Sequence, residues 1–242
     1  MTTSPVRRGR ERATSRPDGV FSRHAFSAGA AYDPDNVAFG PLVALDEHVL
    51  AAGAGFADHR HAGIEIITWP LSGAVTHRSG DAESPVTPGT LQYLAAGGGV
   101  THSETALGPA PARFLQMWLV GVADAPVRYE RRDVPPGLGW RHLAASPDRR
   151  PEVVEPELGG IVLDRSGARL DLLRLRGGQA AQLPAAPGVL VHLVTGSVLL
   201  ANGTVLEASD SIRWRSARSG DALRVRARRP AELLIWSFTD TG

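Results

Sequence analysis

The stretch Trp69-Pro70-Leu71-Ser72-Gly73-Ala74-Val75 has a partner in the second half of the chain, Leu193-Val194-Thr195-Gly196-Ser197-Val198. In each, an apolar run reaches a glycine among small residues and a second apolar run follows. Another pair lies further on: Thr87-Pro88-Gly89-Thr90-Leu91 and Ala208-Ser209-Asp210-Ser211-Ile212 both read as a turn feeding a strand. Repetition of one supersecondary unit points to a duplicated domain. Around these anchors helical periodicity is scarce, and short β-type runs recur between Gly, Pro, Asn and Asp. They cover 37–45, 64–69, 74–78, 90–94 and 114–120, then 169–175, 189–194, 198–201, 204–206, 211–214, 223–227 and 232–238. Asn202-Gly203 tolerates the positive φ angles of a tight hairpin between two of them. The pattern predicts an all-β protein of two tandem antiparallel β-barrels. Residues 1–20 read as a flexible Arg-rich arm, 21–131 as the first barrel and 132–242 as the second, with a connector dense in Pro, Arg and acids over 123–157.

At 242 residues the chain is long enough to bury the cores of two small barrels. Its 43% hydrophobic content and net charge of +1 are those of a folded globular protein without the basic excess of a dedicated nucleic-acid binder. Cysteine is absent, which excludes disulfides, thiolate metal ligands and Cys nucleophiles together. The N-terminal segment has no apolar core and does not read as a secretory signal. The longest apolar run, 188–201, is interrupted by His192, Thr195, Gly196 and Ser197 and falls short of a membrane span. The expected location is the cytoplasm, and the expected state a monomer with no membrane or direct nucleic-acid partner. Arg7, Arg8, Arg10 and Arg12 read as a solvated, mobile segment.

The chemistry concentrates in two short elements. Asp58-His59-Arg60-His61 places two of the eight histidines two residues apart, and Thr101-His102-Ser103-Glu104 does the same with a histidine and a carboxylate. In a strand, residues two apart face the same way. If the two strands meet inside one barrel, three imidazoles and a carboxylate converge on a point. Such a set suits a divalent transition metal and leaves positions open for water, dioxygen or a chelating ligand. The turn at Pro88-Gly89 and the run Gly97-Gly98-Gly99 permit the tight bend that carries His102 inward.

This segment resembles the pirin family of the cupin superfamily. The matching residues are Gly55, His59, His61, Glu65, Gly73, Pro88-Gly89 and Thr101-His102-Ser103-Glu104. Arg23-His24-Ala25-Phe26-Ser27, Tyr32-Asp33-Pro34 and Leu115-Gln116-Met117-Trp118 are similar to it as well. The likeness is dense over about 20–120 and rests afterwards on the duplicated layout alone. It implies a bicupin, two cupin-type barrels in one chain, with one metal held in the first barrel by His59, His61, His102 and Glu104. The implied ion is Fe(II), with Zn, Ni, Mn, Co or Cu able to use the same donors. Other cupins use the glutamate at Glu65; Glu104 is preferred because it shares a face with His102, and Glu65 is read as a buried hydrogen-bonding carboxylate.

The implied activity is that of bacterial pirins of the quercetin 2,3-dioxygenase type: opening of a flavonol-like phenol with O2, with Glu104 as the base. The competing expectation is a metal- or redox-responsive regulator acting through a protein partner. Superposing Gly196 on Gly73 puts Gln182 and Pro184 over His59 and His61, so the second barrel is expected to be metal-free. Elsewhere the plain readings come first. His77 is expected to make a structural hydrogen bond, His24 and His48 to flank strands, His192 to be a satisfied core histidine, and His142 to lie in the connector. Phe114, Met117 and Trp118 read as barrel lining, and Asp58 as an anchor for an imidazole N–H.

Overall fold

The computed structural model describes residues 2–3, 5–80, 82–149, 160–215 and 223–240. The strands are β1 (Thr2–Thr3), β2 (Ala13–Ser15), β3 (Val20–His24), β4 (Leu42–Leu50), β5 (Gly55–His61), β6 (Ile64–Ser72), β7 (Ala74–Ser79), β8 (Ala82–Val86), β9 (Thr90–Ala95), β10 (Val100–Leu107), β11 (Ala112–Val120) and β12 (Arg128–Asp133). They continue as β13 (Gly139–Ala145), β14 (Ile161–Val162), β15 (Ala168–Leu175), β16 (Ala180–Gln182), β17 (Gly188–Leu200), β18 (Val205–Glu207), β19 (Ser211–Arg215) and β20 (Arg224–Phe238). Among the described residues no helix is long and apolar enough to cross a membrane. Two compact units result: Ala13–Ala38 with Leu42–Pro135, here the histidine unit, and Met1–Arg12 with Phe39–Pro41 and Pro136–Gly242, here the terminal unit.

The histidine unit holds a seven-stranded sheet, β12-β9-β6-β11-β4-β3-β2, and a four-stranded one, β5-β10-β7-β8. The terminal unit holds one sheet, β1-β19-β17-β20-β15-β13-β14, with β16 added on β20 and β18 on β17. Both follow one plan. β17 takes the places of β6 and β7, and β20 the places of β10 and β11. With these fused, each strand of one list has its counterpart in the other. All described pairings but the two-residue β13–β14 contact are antiparallel, so both units are cupin-type antiparallel barrels.

The fusion corrects the sequence reading, which breaks β17 and β20 into two runs each. Gly196 and Pro230 are not ends of strands. The β17–β20 register shifts between Leu193 and Thr195 and again up to Val198, so the small residues make bulges that bend a continuous strand. Glycine is required at the bend: Gly196 has φ +89°, and a Cβ there would meet the Pro230 carbonyl. Its counterpart Gly73, φ +68°, lies in the same way against Pro111 and Ala112. The repeat read from two glycines therefore includes their partners, Pro111-Ala112 and Pro230-Ala231.

The run expected at 37–45 is displaced to β4, which continues through Asp46-Glu47-His48. Those polar residues are satisfied within the unit: the buried Glu47 accepts from Arg113 Nε at 2.8 Å and Arg23 at 3.3 Å, and Ser22 Oγ lies 2.7 Å from His48 Nδ1. The connector contains two strands, β12 and β13, and β12 pairs with β9 at the edge of the histidine unit's sheet. Its last part, 150–157, lies outside the described residues.

Residues 5–12 of the Arg-rich arm, read as solvated, are bonded into the terminal unit. β1 pairs with β19 in the position that β12 holds against β9. Arg7 and Ser211 exchange two backbone bonds, and Arg8 Nη1 lies 2.6 Å from the buried Asp210 carboxylate, which also accepts from Gly9 N at 2.9 Å. Arg12 Nη2 lies 3.2 Å from both Ser211 Oγ and His192 Nδ1. A charge run looks like a tail when its acceptor is far away in sequence. The terminal unit's own interior is apolar, gathering Leu183, Val191, Leu223, Val225, Ala227 and Ile235 with their neighbours.

Candidate metal centre

β5 and β10 pair antiparallel, with His59 opposite His102. Glu104 stands opposite Phe56, so β5 carries one extra residue at Ala57-Asp58, a bulge beside the histidines that re-aims side chains. Alternation does the rest: Arg60, Thr101 and Thr105 are exposed, His59 and His61 half-buried, and His102 and Glu104 buried. Close approach of the two strands depends on Gly55, where a Cβ would fall on the Glu104 carbonyl. At the other end, Arg60 Nη2 donates to Gly98 O at 2.7 Å, and a side chain on Gly99 would collide with that guanidinium. The glycine run thus seats Arg60 as well as making a bend.

The imidazoles of His59, His61 and His102 pack with ring centroids 4.4 to 5.1 Å apart. One ring nitrogen from each lies within 4.8 Å of the others. His102 is also part of a second such group, with Glu104 and His77. Among the described residues His61 Nε2, His77 Nε2 and both ring nitrogens of His102 are buried without a hydrogen-bond partner. Buried polar atoms are seldom left so, and a cluster of them marks a place where another group is meant to bind. His59 shows how the donors are prepared. Its Nδ1 lies 2.7 Å from Ala57 O, which can only accept, so Nδ1 carries the proton and Nε2 keeps its lone pair.

The electrostatics match. Burial, helped by the neighbouring His59, pushes His61 and His77 down to about 4, and His102, crowded further by His77 and His61, to about 3. The rings are therefore neutral at physiological pH, the form that coordinates metal. Burial pushes the Glu104 carboxyl up to about 7, against the opposing pull of Gln116. Gln116 Nε2 donates to both carboxylate oxygens, at 3.0 and 2.9 Å, and is itself held through its Oε1 by Trp118 Nε1 at 2.9 Å. The Trp118 ring stands 4.9 Å from that of His61. A cation arriving at this cluster would supply the positive charge that a buried carboxylate lacks, so the donor set fits a divalent transition ion.

Other expected residues fall into place around this cluster. Glu65, 1% exposed, accepts from Tyr93 Oη at 2.7 Å and belongs to neither donor group. Asp58 does not anchor an imidazole: it is exposed and pairs with Arg78 at 3.4 Å, because the bulge turns it outward and leaves the Ala57 carbonyl to fix His59. Phe114 and Met117 are fully buried, whereas Trp118 is half-buried and faces the histidines. His24 sits between Ser15 Oγ at 2.9 Å and Asp46 at 3.0 Å, and His142 lies 3.2 Å from Asp171. Sequence reasoning missed Gln116 and Gln92, the amides that hold Glu104 and His77. Each is a lone Gln on an inward position within a run of apolar residues, and that is the available signal.

A two-barrel cupin with a three-histidine cluster, half-buried at His59 and His61 and buried at His102, beside a buried carboxylate is the class that fold and site define. Among the described residues the terminal unit shows no group of three metal-capable side chains. The Pirin family model matches residues 6–119. A Mycobacterium tuberculosis protein named "Putative quercetin 2,3-dioxygenase" is 33% identical over 98% of this chain and 95% of its own length. The quercetin 2,3-dioxygenase of Escherichia coli K12 is 28% identical over 96% of this chain and 97% of its own. A crystal structure of the bacterial pirin YhhW from Escherichia coli, in complex with nickel(II), superposes with a TM-score of 0.87 at 26% identity, covering 98% of this chain and 99% of that one. The chain belongs to the pirin family.

Proposed function

We propose that this chain is a metal-dependent dioxygenase that opens the central ring of a flavonol-like phenol with O2, releasing carbon monoxide, at a centre held by His59, His61, His102 and Glu104. The observation that carries this is the convergence of three imidazoles, those of His61 and His102 with unpartnered buried nitrogens, beside a buried carboxylate. The names of relatives spanning nearly the whole chain support the reaction class, and the nickel complex of the related pirin supports metal binding. The proposed ion is iron(II), the one that the resemblance implies; when bound it would supply Lewis acidity and a redox-active template for phenol and O2.

The chain's own groups do the rest. The His61 and His102 rings stay neutral and ready through burial. Glu104, oriented by Gln116, accepts the proton of the phenolic hydroxyl, a transfer that needs the carboxylate within hydrogen-bond reach of the bound phenol. Trp118 forms a wall beside His61, and the barrel excludes water from the reacting phenol. Elemental analysis of protein purified without chelators, followed by oxygen uptake with a panel of flavonols, tests the reading. Full metal occupancy with no uptake would remove the activity. Loss of metal in Glu65→Ala with retention in Glu104→Ala would reassign the carboxylate.

A further inference from the structure

His77 is the one member of the two donor groups without an assigned task. It lies on β7, whose Glu104-facing register brings His77 opposite Glu104 on β10. Its Nδ1 is 2.9 Å from Gln92 Nε2. An amide N–H can only donate, so Nδ1 accepts and the imidazole proton resides on Nε2. Gln92 is 1% exposed on β9, so the tautomer is set from inside the barrel. The Nε2–H that results is buried and has no acceptor among the described residues. One ring nitrogen of His77 lies within 4.8 Å of ligand atoms of His102 and Glu104, with the ring packed 4.9 Å from His102 and 4.8 Å from Tyr129.

We propose that His77 is a hydrogen-bond donor to an oxygen of the phenolic ligand bound beside Glu104, and that it does not ligate the metal. The inference rests on reading the barrel as a phenol-binding metal centre. A metal ligand needs a lone pair at the ring nitrogen it presents, and Gln92 removes it from Nε2. A lone buried N–H, by contrast, is costly until something accepts from it, and an ionised phenol oxygen is the strongest acceptor that the chemistry brings there. The favoured substrates therefore carry two adjacent oxygens, one for the metal and one within reach of His77, as 3-hydroxy-4-keto or catechol arrangements do. A site built around such a donor rejects the analogue that lacks the second oxygen, because the donor is then left unpaired. His77 is on this account a positioning and specificity residue, and the Tyr129 ring is the surface that fixes its plane.

The test compares unsubstituted protein with His77→Leu and His77→Gln, each loaded with iron(II) under nitrogen, analysed for metal content and titrated with 4-nitrocatechol by absorbance. All three retain the same metal content. Affinity for the probe falls roughly ten- to a hundredfold in His77→Leu and is largely kept in His77→Gln, whose amide N–H reaches the place of Nε2. Loss of metal in His77→Leu would make His77 a ligand, and unchanged probe affinity would make it merely structural; either overturns the proposal. Nitrogen-15 NMR of the unsubstituted protein reads the tautomer without any variant, and a His77 protonated on Nδ1 overturns it as well. Because the probe reports binding under nitrogen, a protein that binds it normally but consumes no O2 with flavonols counts against the dioxygenase reading alone.

Discussion

Replacing Gln116 with leucine isolates the device that keeps Glu104 ready. Glu104 is fully buried, its carboxyl is pushed up to about 7, and the opposing influence is its pair of bonds from Gln116 at 3.0 and 2.9 Å. A donor to a carboxylate favours the charged form, so its removal raises the carboxyl further and leaves the protonated form dominant at neutral pH. A protonated carboxyl must release its proton before it can coordinate. Hydrogen bonds to charged groups contribute about 1.5–3 kcal/mol each; two bonds from one amide group share their geometry, so about 2 kcal/mol for the pair is a fair working figure. That corresponds to roughly 30-fold in metal affinity at pH 7, inside the 10–100-fold range typical of residues that orient metal ligands. Competition against a chromophoric chelator, from pH 6 to 9, measures it. The deficit should shrink as pH rises, because hydroxide takes over the task of removing the proton. An affinity within twofold of the parent at every pH, or a deficit independent of pH, would refute the reasoning.

Three further outcomes follow from features already described. Gly73→Ala and Gly196→Ala should each destabilise the protein by about 2–5 kcal/mol in urea unfolding, combining left-handed strain with a clash against backbone; Gly53→Ala, at φ +73° with nothing within 4 Å, should cost only about 1–2 kcal/mol. Metal-free protein should gain thermal stability as pH rises from about 4 to 6.5, because His48, His61, His77 and His102 are held down to about 4 or below and stay neutral when the unfolded chain is protonated. Glu104 works in the opposite direction from about 4.5 to 7, since the folded state keeps the proton that the unfolded chain releases, so Glu104→Gln should steepen the rise. Asp210→Ala, which takes the side-chain acceptor from Gly9 N and Glu207 N and the ion-pair partner from Arg8, should destabilise by about 2–3 kcal/mol and expose the N-terminal segment to limited proteolysis.

Much of this was legible from the residues because alternation is a local property. His59 and His61, or His102 and Glu104, declare a shared face as soon as a strand is granted, and Gly73 and Gly196 declare the repeat. What stayed hidden depended on long-range pairing. The acceptor for Arg8 lies in the loop before β19, so its charge looked like that of a solvated tail. The bulge at Ala57-Asp58 appears only when β5 is laid beside β10, and it is the reason that Asp58 faces Arg78 rather than a histidine. β17 and β20 were split because Gly196 and Pro230 usually end strands, whereas here pairing along their whole length absorbs both as bulges. Gln92 and Gln116 sit in runs that read as pure core; a single amide in such a run has to find a partner, and here the partners are His77 and Glu104.

The β1 position has a consequence for how the molecule is made. The strand that completes the edge of the terminal unit's sheet is made before the rest of that sheet, and Asp210, which holds Arg8, is synthesised 202 residues after Arg8. At roughly 5–20 residues per second the interval is on the order of ten to forty seconds. The histidine unit can close its own barrel during that wait, while β1 and the arginine segment stay unpaired until β19 has emerged. A strand made well before its partners is thus among the last of its barrel to be folded.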